Sequence, residues 1–353
     1  MGYLGPTIAL EGLLYQPEHS LMVQSYQPRE MTSGVVNADG LGIGWYHSQQ
    51  NVDPFTYKST LPIWNDTNLP ELSRYIESAC VLAYVRSATP GQALDMSNCQ
   101  PFRDGRFLFI HNGFISNFRK TLYRPIRERL SDRIYQSING TTDSEHLFAL
   151  FLNELEISLH STEDGSKSHC AIAQGAAPAV GYPYSPTGMK TAERLVQPYG
   201  HVQPYGHENS VATRSVNRVA SPTGEEKGCK AIALKGQREA IAQALHTTLI
   251  TLTELAQAYQ VSFSANAIVS DGHHLVASRY AYGTTAPSLY WIANDPTYPN
   301  SVIIASERLF TGNWNKFPNS SILNVGKNVE LISINSSAAT RKSKVKSQKS
   351  KIL

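Results

Sequence analysis

The sequence predicts an α+β chain, rich in strands, with helices on both sides of a long low-complexity insertion. Three observations carry this. Apolar runs of strand length end in polar residues, as in "ACVLAYVRSA" (79–88) and "RFLFIHNG" (106–113). Two segments, 144–159 and the stretch from Gln237 onward, carry apolar residues in a helical pattern. Between them, from about 161 to 236, the chain is rich in Gly, Ser, Pro, Thr and Ala and fits neither period.

Each element has its own reason. "LYRPIRERLSDRIYQSI" (122–138) sets Ile126, Leu130 and Ile134 at helical spacing, which predicts one helix. "SEHLFALFLNELEISL" (144–159) predicts a second, opened by Thr142-Asp143-Ser144, residue types that cap helices well. The insertion contains the direct repeat "QPYGHVQPYGHE" (197–208) and reads as disordered or loosely ordered; its two histidines read as solvated rather than metal-bound. Order resumes at Gln237, where Ile241, Leu245, Leu249, Leu252 and Leu255 mark one helix face. "VSFSANAIVSDGHHLVASRYA" (261–281) predicts a hairpin turning at "SDGHH" (270–274). "PSLYWIA" (287–293), "SVIIASE" (301–307) and "NVELISI" (328–334) are further strands. The basic tail 336–353 reads as frayed.

Composition narrows the function classes. The 353 residues include 41% apolar and 17% charged, as in a soluble globular chain large enough for a sizeable core. Net charge is +3, and residues 341–353 hold six Lys/Arg and no acid. The body is therefore close to neutral, and no nucleic-acid partner is expected. An interaction of the tail and the Tyr/His repeat with anionic surfaces or RNA is the minor alternative. The four cysteines, Cys80, Cys99, Cys170 and Cys229, form no CxxC pair, so neither a zinc cage nor a redox dithiol is expected. No secretory signal and no membrane-spanning run is read, and Pro6 disfavours myristoylation. A reducing cytoplasm is the expected setting.

Three stretches carry chemistry. "PREMTSGVVNADGLGIGWY" (28–46) has Gly40, Gly42 and Gly44 at alternating positions, which permits close approach of a backbone or a ligand; alone it reads as a tight turn into a strand. "YVRSATPG" (84–91) puts Arg86 at the end of a buried strand, where it can hold a carboxylate by two hydrogen bonds or pair a nearby acid, with Thr89 in the loop beyond. "FIHNGFI" (109–115) delivers His111, Asn112 and Gly113 to a strand end. An Asn amide and a Gly N–H make an oxyanion hole, or an ordinary Asn-Gly turn.

Together with "NCQPF" (98–102) and "TDSEHLF" (142–148), these motifs occur in an order that resembles the class II glutamine amidotransferases. The subgroup most resembled is the γ-glutamyl amidohydrolase of ergothioneine biosynthesis. "VSDGHHLVASRYA", "SLYW" (288–291) and "IIASERL" (303–309) extend the likeness, which covers residues 2–160 and about 237–334.

The resemblance implies an N-terminal nucleophile hydrolase fold, a four-layer αββα sandwich of two antiparallel sheets between helix layers. It implies one type 2 amidotransferase domain over 1–335, interrupted at about 161–236. Arg86 would bind the α-carboxylate of a glutamine or γ-glutamyl group, with Thr89 and His111 beside the substrate. Asp143 would hold the α-ammonium, and Asn112 and Gly113 the oxyanion. The partner is a small γ-glutamyl molecule, glutamine or a γ-glutamyl thiol-histidine conjugate. No cofactor, metal or membrane is called for. Gln100 departs from the family, which often has His there.

The family's nucleophile is an N-terminal cysteine whose own α-amine is its base. The family pattern runs Met-Cys-Arg, two further residues, then a stretch like "GYLG", which here is Gly2-Tyr3-Leu4-Gly5. The cysteine is thus expected upstream of Met1, and none of the four cysteines present is expected to replace it. Two readings follow: an active enzyme whose start lies about four residues earlier, or a non-catalytic γ-glutamyl binder that begins at Met1.

Overall fold

The computed structural model describes residues 1–31, 34–47, 53–88, 92–163, 224–326, 329–334 and 347–348. The chain opens with β1 (Gly2–Ala9), α1 (Glu11–Leu14) and α2 (Leu21–Tyr26). Then come β2 (Leu41–Trp45), β3 (Phe55–Ser59), α3 (Leu69–Tyr75) and β4 (Glu77–Val85). The hairpin of β5 (Phe102–Asp104) and β6 (Phe107–Ile115) leads to α4 (Tyr123–Arg127), α5 (Asp132–Ser137) and the long α6 (Asp143–Glu163). The second half has α7 (Gly224–Ala258), β7 (Phe263–Ser270), β8 (Leu275–Tyr282), β9 (Tyr290–Asp295), β10 (Tyr298–Ala305), β11 (Asn315–Lys316), β12 (Ser321–Val325), β13 (Val329–Ser333) and β14 (Ser347–Gln348).

The strands make two antiparallel sheets. One has the order β11-β9-β10-β1-β4-β2-β3, the other β14-β13-β12-β8-β7-β6-β5. Side-chain alternation assigns the layers. On β4, Cys80 and Leu82 pack with Leu108, Ile110 and Ile268 of the second sheet, so this face is the seam between the sheets. Val81 and Ala83 face the other way, onto Leu13, Leu14 and Leu69 from the helices α1 to α3. On the far face of the second sheet, Phe109, Ala267 and Val269 pack under Phe151 of α6 and Leu249 of α7. The result is the expected α+β sandwich: helices, sheet, sheet, helices. Phe109 and Phe151 are fully buried, and truncating either to Ala costs about 3–5 kcal/mol.

Three expectations change. The single helix over 122–138 is two short ones, α4 and α5. Ser131 adopts extended backbone at ψ 154 ahead of Asp132, and its N–H is taken by Asn153 Oδ1 of α6 at 3.0 Å, so the chain restarts its helix there. Ile126 and Ile134 still reach the same core. The helix expected from Gln237 begins at Gly224, inside the low-complexity stretch. In the tail, Ser347–Gln348 pairs with Leu331 and Ile332. The Tyr/His repeat lies outside the described residues.

Candidate active site

β6 enters the site with its outer edge open. β5 pairs with it only from Phe107 to Phe109. Beyond that point the side chain of Gln100 takes over: its Nε2 donates to His111 O at 3.0 Å, and its Oε1 accepts from His111 N. Two residues on from Gly113, Ile115 N donates to Asp143 Oδ2 at 2.8 Å. In an antiparallel strand, alternate residues send their N–H groups to the same edge. Gly113 lies midway between these two, so its N–H points out of that edge. No hydrogen bond from it is present among the described residues.

Gly113 is also a position that needs glycine. A Cβ there would come within 2.0 Å of Ser264 O and 2.6 Å of His111 Nε2. Its neighbour Asn112 points to the opposite face, into the space between the sheets, and is exposed. The strand end therefore offers a free backbone N–H beside a side-chain amide, a pair that can serve one oxygen.

Asp143 is the first residue of α6. Thr142 caps the helix, its Oγ1 accepting from Glu145 N at 3.3 Å. The Asp143 carboxylate is 7% exposed, accepts from Ser144 N and Ile115 N, and has no cation within 4 Å among the described residues. The helix N-terminus favours its negative charge.

Arg86 ends β4 and is 3% exposed. Its guanidinium makes only long hydrogen bonds, at 3.3–3.4 Å, to Asp39 O, Gln92 Oε1 and Ala93 O. It too lacks an ion-pair partner among the described residues. Asp39 of the glycine-rich stretch fixes the loop that follows, accepting from Ala88 N at 2.7 Å. Tyr84 lies within the field of both charges, and burial pushes its hydroxyl up to about 12.

A cleft of about 1070 Å³ is lined by Met1, Tyr84, Asn112, Gly113, Asp143 and Asn266 among others. Arg86 itself is not on its wall, although Val85, Ser87 and Ala88 are. Thr89 lies outside the described residues. His111 borders the cleft, yet its ring is engaged on the helix side of the sheet, Nδ1 with Ser144 Oγ at 2.8 Å and Nε2 with Ser264 O at 3.2 Å. Burial holds that imidazole below its ordinary value.

Two readings of the glycine-rich stretch separate here. A Cβ at Gly42 would come within 1.8 Å of Gln100 O, and one at Gly44 within 2.7 Å of Leu108 Cδ1. The close approach serves neighbouring protein. Cys80 and Cys99 are both buried, and burial raises both thiols, Cys80 to about 12. Neither lines the cleft.

Several wall residues carried no signal as single letters. Glu307 accepts from Arg29 N at 2.8 Å and Glu30 N at 2.9 Å and meets His19 Nε2 at 2.6 Å, which fixes the 28–31 segment over the cleft. Ser264 and Asn266 act through strands that meet only in the folded sheet. No helix among the described residues is long and apolar enough to cross a membrane.

Comparison with known proteins relates the chain to one class. Residues 15–178 match the family model described as glutamine amidotransferases class-II. Over 115 residues the chain is 39% identical to the γ-glutamyl-hercynylcysteine sulfoxide hydrolase of Mycobacterium tuberculosis, covering 33% of this chain and 48% of that protein. Over 154 residues it is 38% identical to the probable glutamine amidotransferase DUG3 of Saccharomyces cerevisiae, covering 42% and 43%. The chain thus spans about half the length of the curated relatives it matches. A solved glutamine aminotransferase class-II domain protein from Silicibacter pomeroyi shares the fold, with a TM-score of 0.52 at 19% identity over 95% of this chain and 98% of that one. The chain is a relative of the class II glutamine amidotransferases, in sequence and in fold.

Proposed function

We propose that the protein is a γ-glutamyl amide hydrolase of the class II amidotransferase type. One observation carries the reading. Arg86 and Asp143 are buried opposite charges, each without an ion-pair partner among the described residues; Asp143 is on the cleft wall and Arg86 lies between the wall residues Val85 and Ser87. An unpaired buried charge is costly, and a ligand carrying the opposite charge relieves it. The α-carboxylate and α-ammonium of a γ-glutamyl group are complementary to the two. In this reading Arg86 exchanges its long bonds for a carboxylate, with Thr89 beside it. Asp143 holds the ammonium. Asn112 Nδ2 and Gly113 N–H hold the γ-carbonyl oxygen as it becomes an oxyanion. His111 acts from behind, keeping the strand end and Ser144 in register.

Strand register supports a place for the nucleophile in this reading. Gly2 pairs with Leu82, and Met1 exchanges hydrogen bonds with Ala83 at 2.8 and 2.9 Å. Continued upstream, the residue three positions before Met1 would stand opposite Arg86. It would point the same way as Gly2, whose side faces Ile268 of the second sheet. That is the position at which the family pattern has its cysteine. The thiol would lose its proton to its own α-amine and attack the γ-carbonyl carbon. The C–N bond then breaks, the leaving amine takes the proton, and water resolves the thioester.

The substrate class is glutamine or a γ-glutamyl thiol-histidine conjugate of the kind named for the mycobacterial relative. A cleft of about 1070 Å³ is large for glutamine alone. The test is the N-terminal peptide mass of the protein from its native locus, followed by glutamate release from both substrates. A leading Cys-Arg with glutamate release supports the reading. A start at Met1 or Gly2 with tight γ-glutamyl binding and no release makes the protein a binder. Neither binding nor release overturns it.

A further inference from the structure

β7 runs beside the strand that carries Asn112. In their antiparallel register Asn266 stands opposite Asn112, and Ser264 opposite Phe114. Residues opposite one another point to the same face. Asn266 therefore faces the space between the sheets, as Asn112 does, and Ser264 and Asn266 both line the cleft.

Asn266 is 3% exposed and Ser264 1%. The Asn266 Nδ2 donates to Pro287 O at 3.0 Å and to Ser288 O at 3.1 Å. Those bonds use both of its N–H groups and fix the orientation of the amide. Its Oδ1 is left with no hydrogen-bond partner among the described residues, and so is Ser264 Oγ. The loop they brace is itself held firmly, since Arg279 donates to Ala286 O at 3.0 Å and Pro287 O at 2.8 Å. A rigid, dry, unpaired acceptor on a cleft wall is unfavourable unless a ligand brings it a donor.

We infer that Asn266 Oδ1, with Ser264 Oγ two residues along the same face, is the subsite for the nitrogen side of the scissile bond. It accepts an N–H from the leaving group while Asn112 and Gly113 take the carbonyl oxygen. This rests on the γ-glutamyl reading above and adds a preference to it. The site selects γ-glutamyl amides that carry an N–H on the γ nitrogen. It rejects γ-glutamyl esters, whose alkoxy oxygen sets lone pairs against Oδ1. Sites built to hydrogen-bond a group discriminate strongly against analogues that lack it.

The experiment compares L-glutamine with L-glutamate γ-methyl ester by calorimetric binding to the full chain, in wild type and in Asn266→Asp and Asn266→Leu. Asp keeps the acceptor and loses the donors to 287 and 288; Leu loses both. Wild type should prefer glutamine by about tenfold, Asn266→Asp should keep that preference, and Asn266→Leu should abolish it, with glutamine affinity falling and ester affinity not falling. Equal affinity of wild type for the two ligands overturns the inference and leaves the γ-glutamyl reading standing. Parallel losses for both ligands in both variants also overturn it, because Asn266 then only anchors the loop. Failure of wild type to bind either ligand overturns the inference and the reading together.

Discussion

In the proposed mechanism Asn112 and Gly113 divide one task between a side chain and a backbone group, and the two respond differently to mutation. Asn112→Ala would then remove one donor to the developing oxyanion. In the enzyme carrying its upstream cysteine, kcat should fall about 10²- to 10³-fold with little change in KM, read by steady-state glutamate release. Gly113→Ala is not a comparable probe, since its Cβ would strike Ser264 O. Arg86→Met should weaken glutamine binding about 10- to 100-fold by calorimetry, the usual range for a charged hydrogen-bonding group. At this scale the positions of Arg86, Asn112 and Asp143 at a strand or helix end were legible, because each stands in a short motif. Asn266 and Ser264 were not. Their meaning comes from a register between strands more than 150 residues apart in the chain, and nothing local encodes it. His111 was read as a substrate neighbour from its motif. Strand alternation, set only once the sheet faces are known, turns its ring toward α6.

Elements hold the site through single polar side chains. Gln100 serves both backbone groups of His111, in place of a further β-strand. Gln100→Leu would leave two buried backbone groups unpaired and should lower stability by about 2–4 kcal/mol, measured by urea unfolding. α4 docks on α6 through His146, whose Nδ1 meets Thr142 O at 2.7 Å while its Nε2 accepts from Arg127 Nε at 2.9 Å. The bond from Arg127 needs the neutral ring, because Nε2 must keep its lone pair to accept it. Burial, with Arg127 adding to it, lowers the imidazole to about 4 against an ordinary 6.5. A group lowered on folding contributes stability that is complete above the unfolded value and lost as pH falls through the folded one. Stability should therefore drop by about 3 kcal/mol between pH 6.5 and 4, and His146→Gln should flatten that drop in urea titrations at pH 7.5 and 4.5. The strands β4 and β6 and the start of α6 were readable from apolar runs and a cap. The division of 122–138 was not, because it depends on Asn153 reaching across from another helix.

For the whole molecule, the described part of the core stops short of residues 164–223. The buried residues of α6 run to Leu155 and those of α7 from Ile241, so the described core ends well inside both helices. Replacing residues 164–223 with a short Gly-Ser linker should move Tm by no more than about 2–4 °C, followed by circular dichroism. A strand-rich chain with helices on each side of a compositional break was legible, and the two sheets came only with the family resemblance. Which strands lie next to which was not, because the sheet order places the first strand between the fourth and the tenth.

That order has a consequence in time. β1 cannot close its ladder until residues 298–305, its partners in β10, have left the ribosome. At about 5–20 residues per second, the front of the nascent chain waits roughly 15–60 s before its second neighbour exists. Its other neighbour, β4, ends at Val85, so for most of synthesis β1 has a partner on one edge only and the other edge stands open.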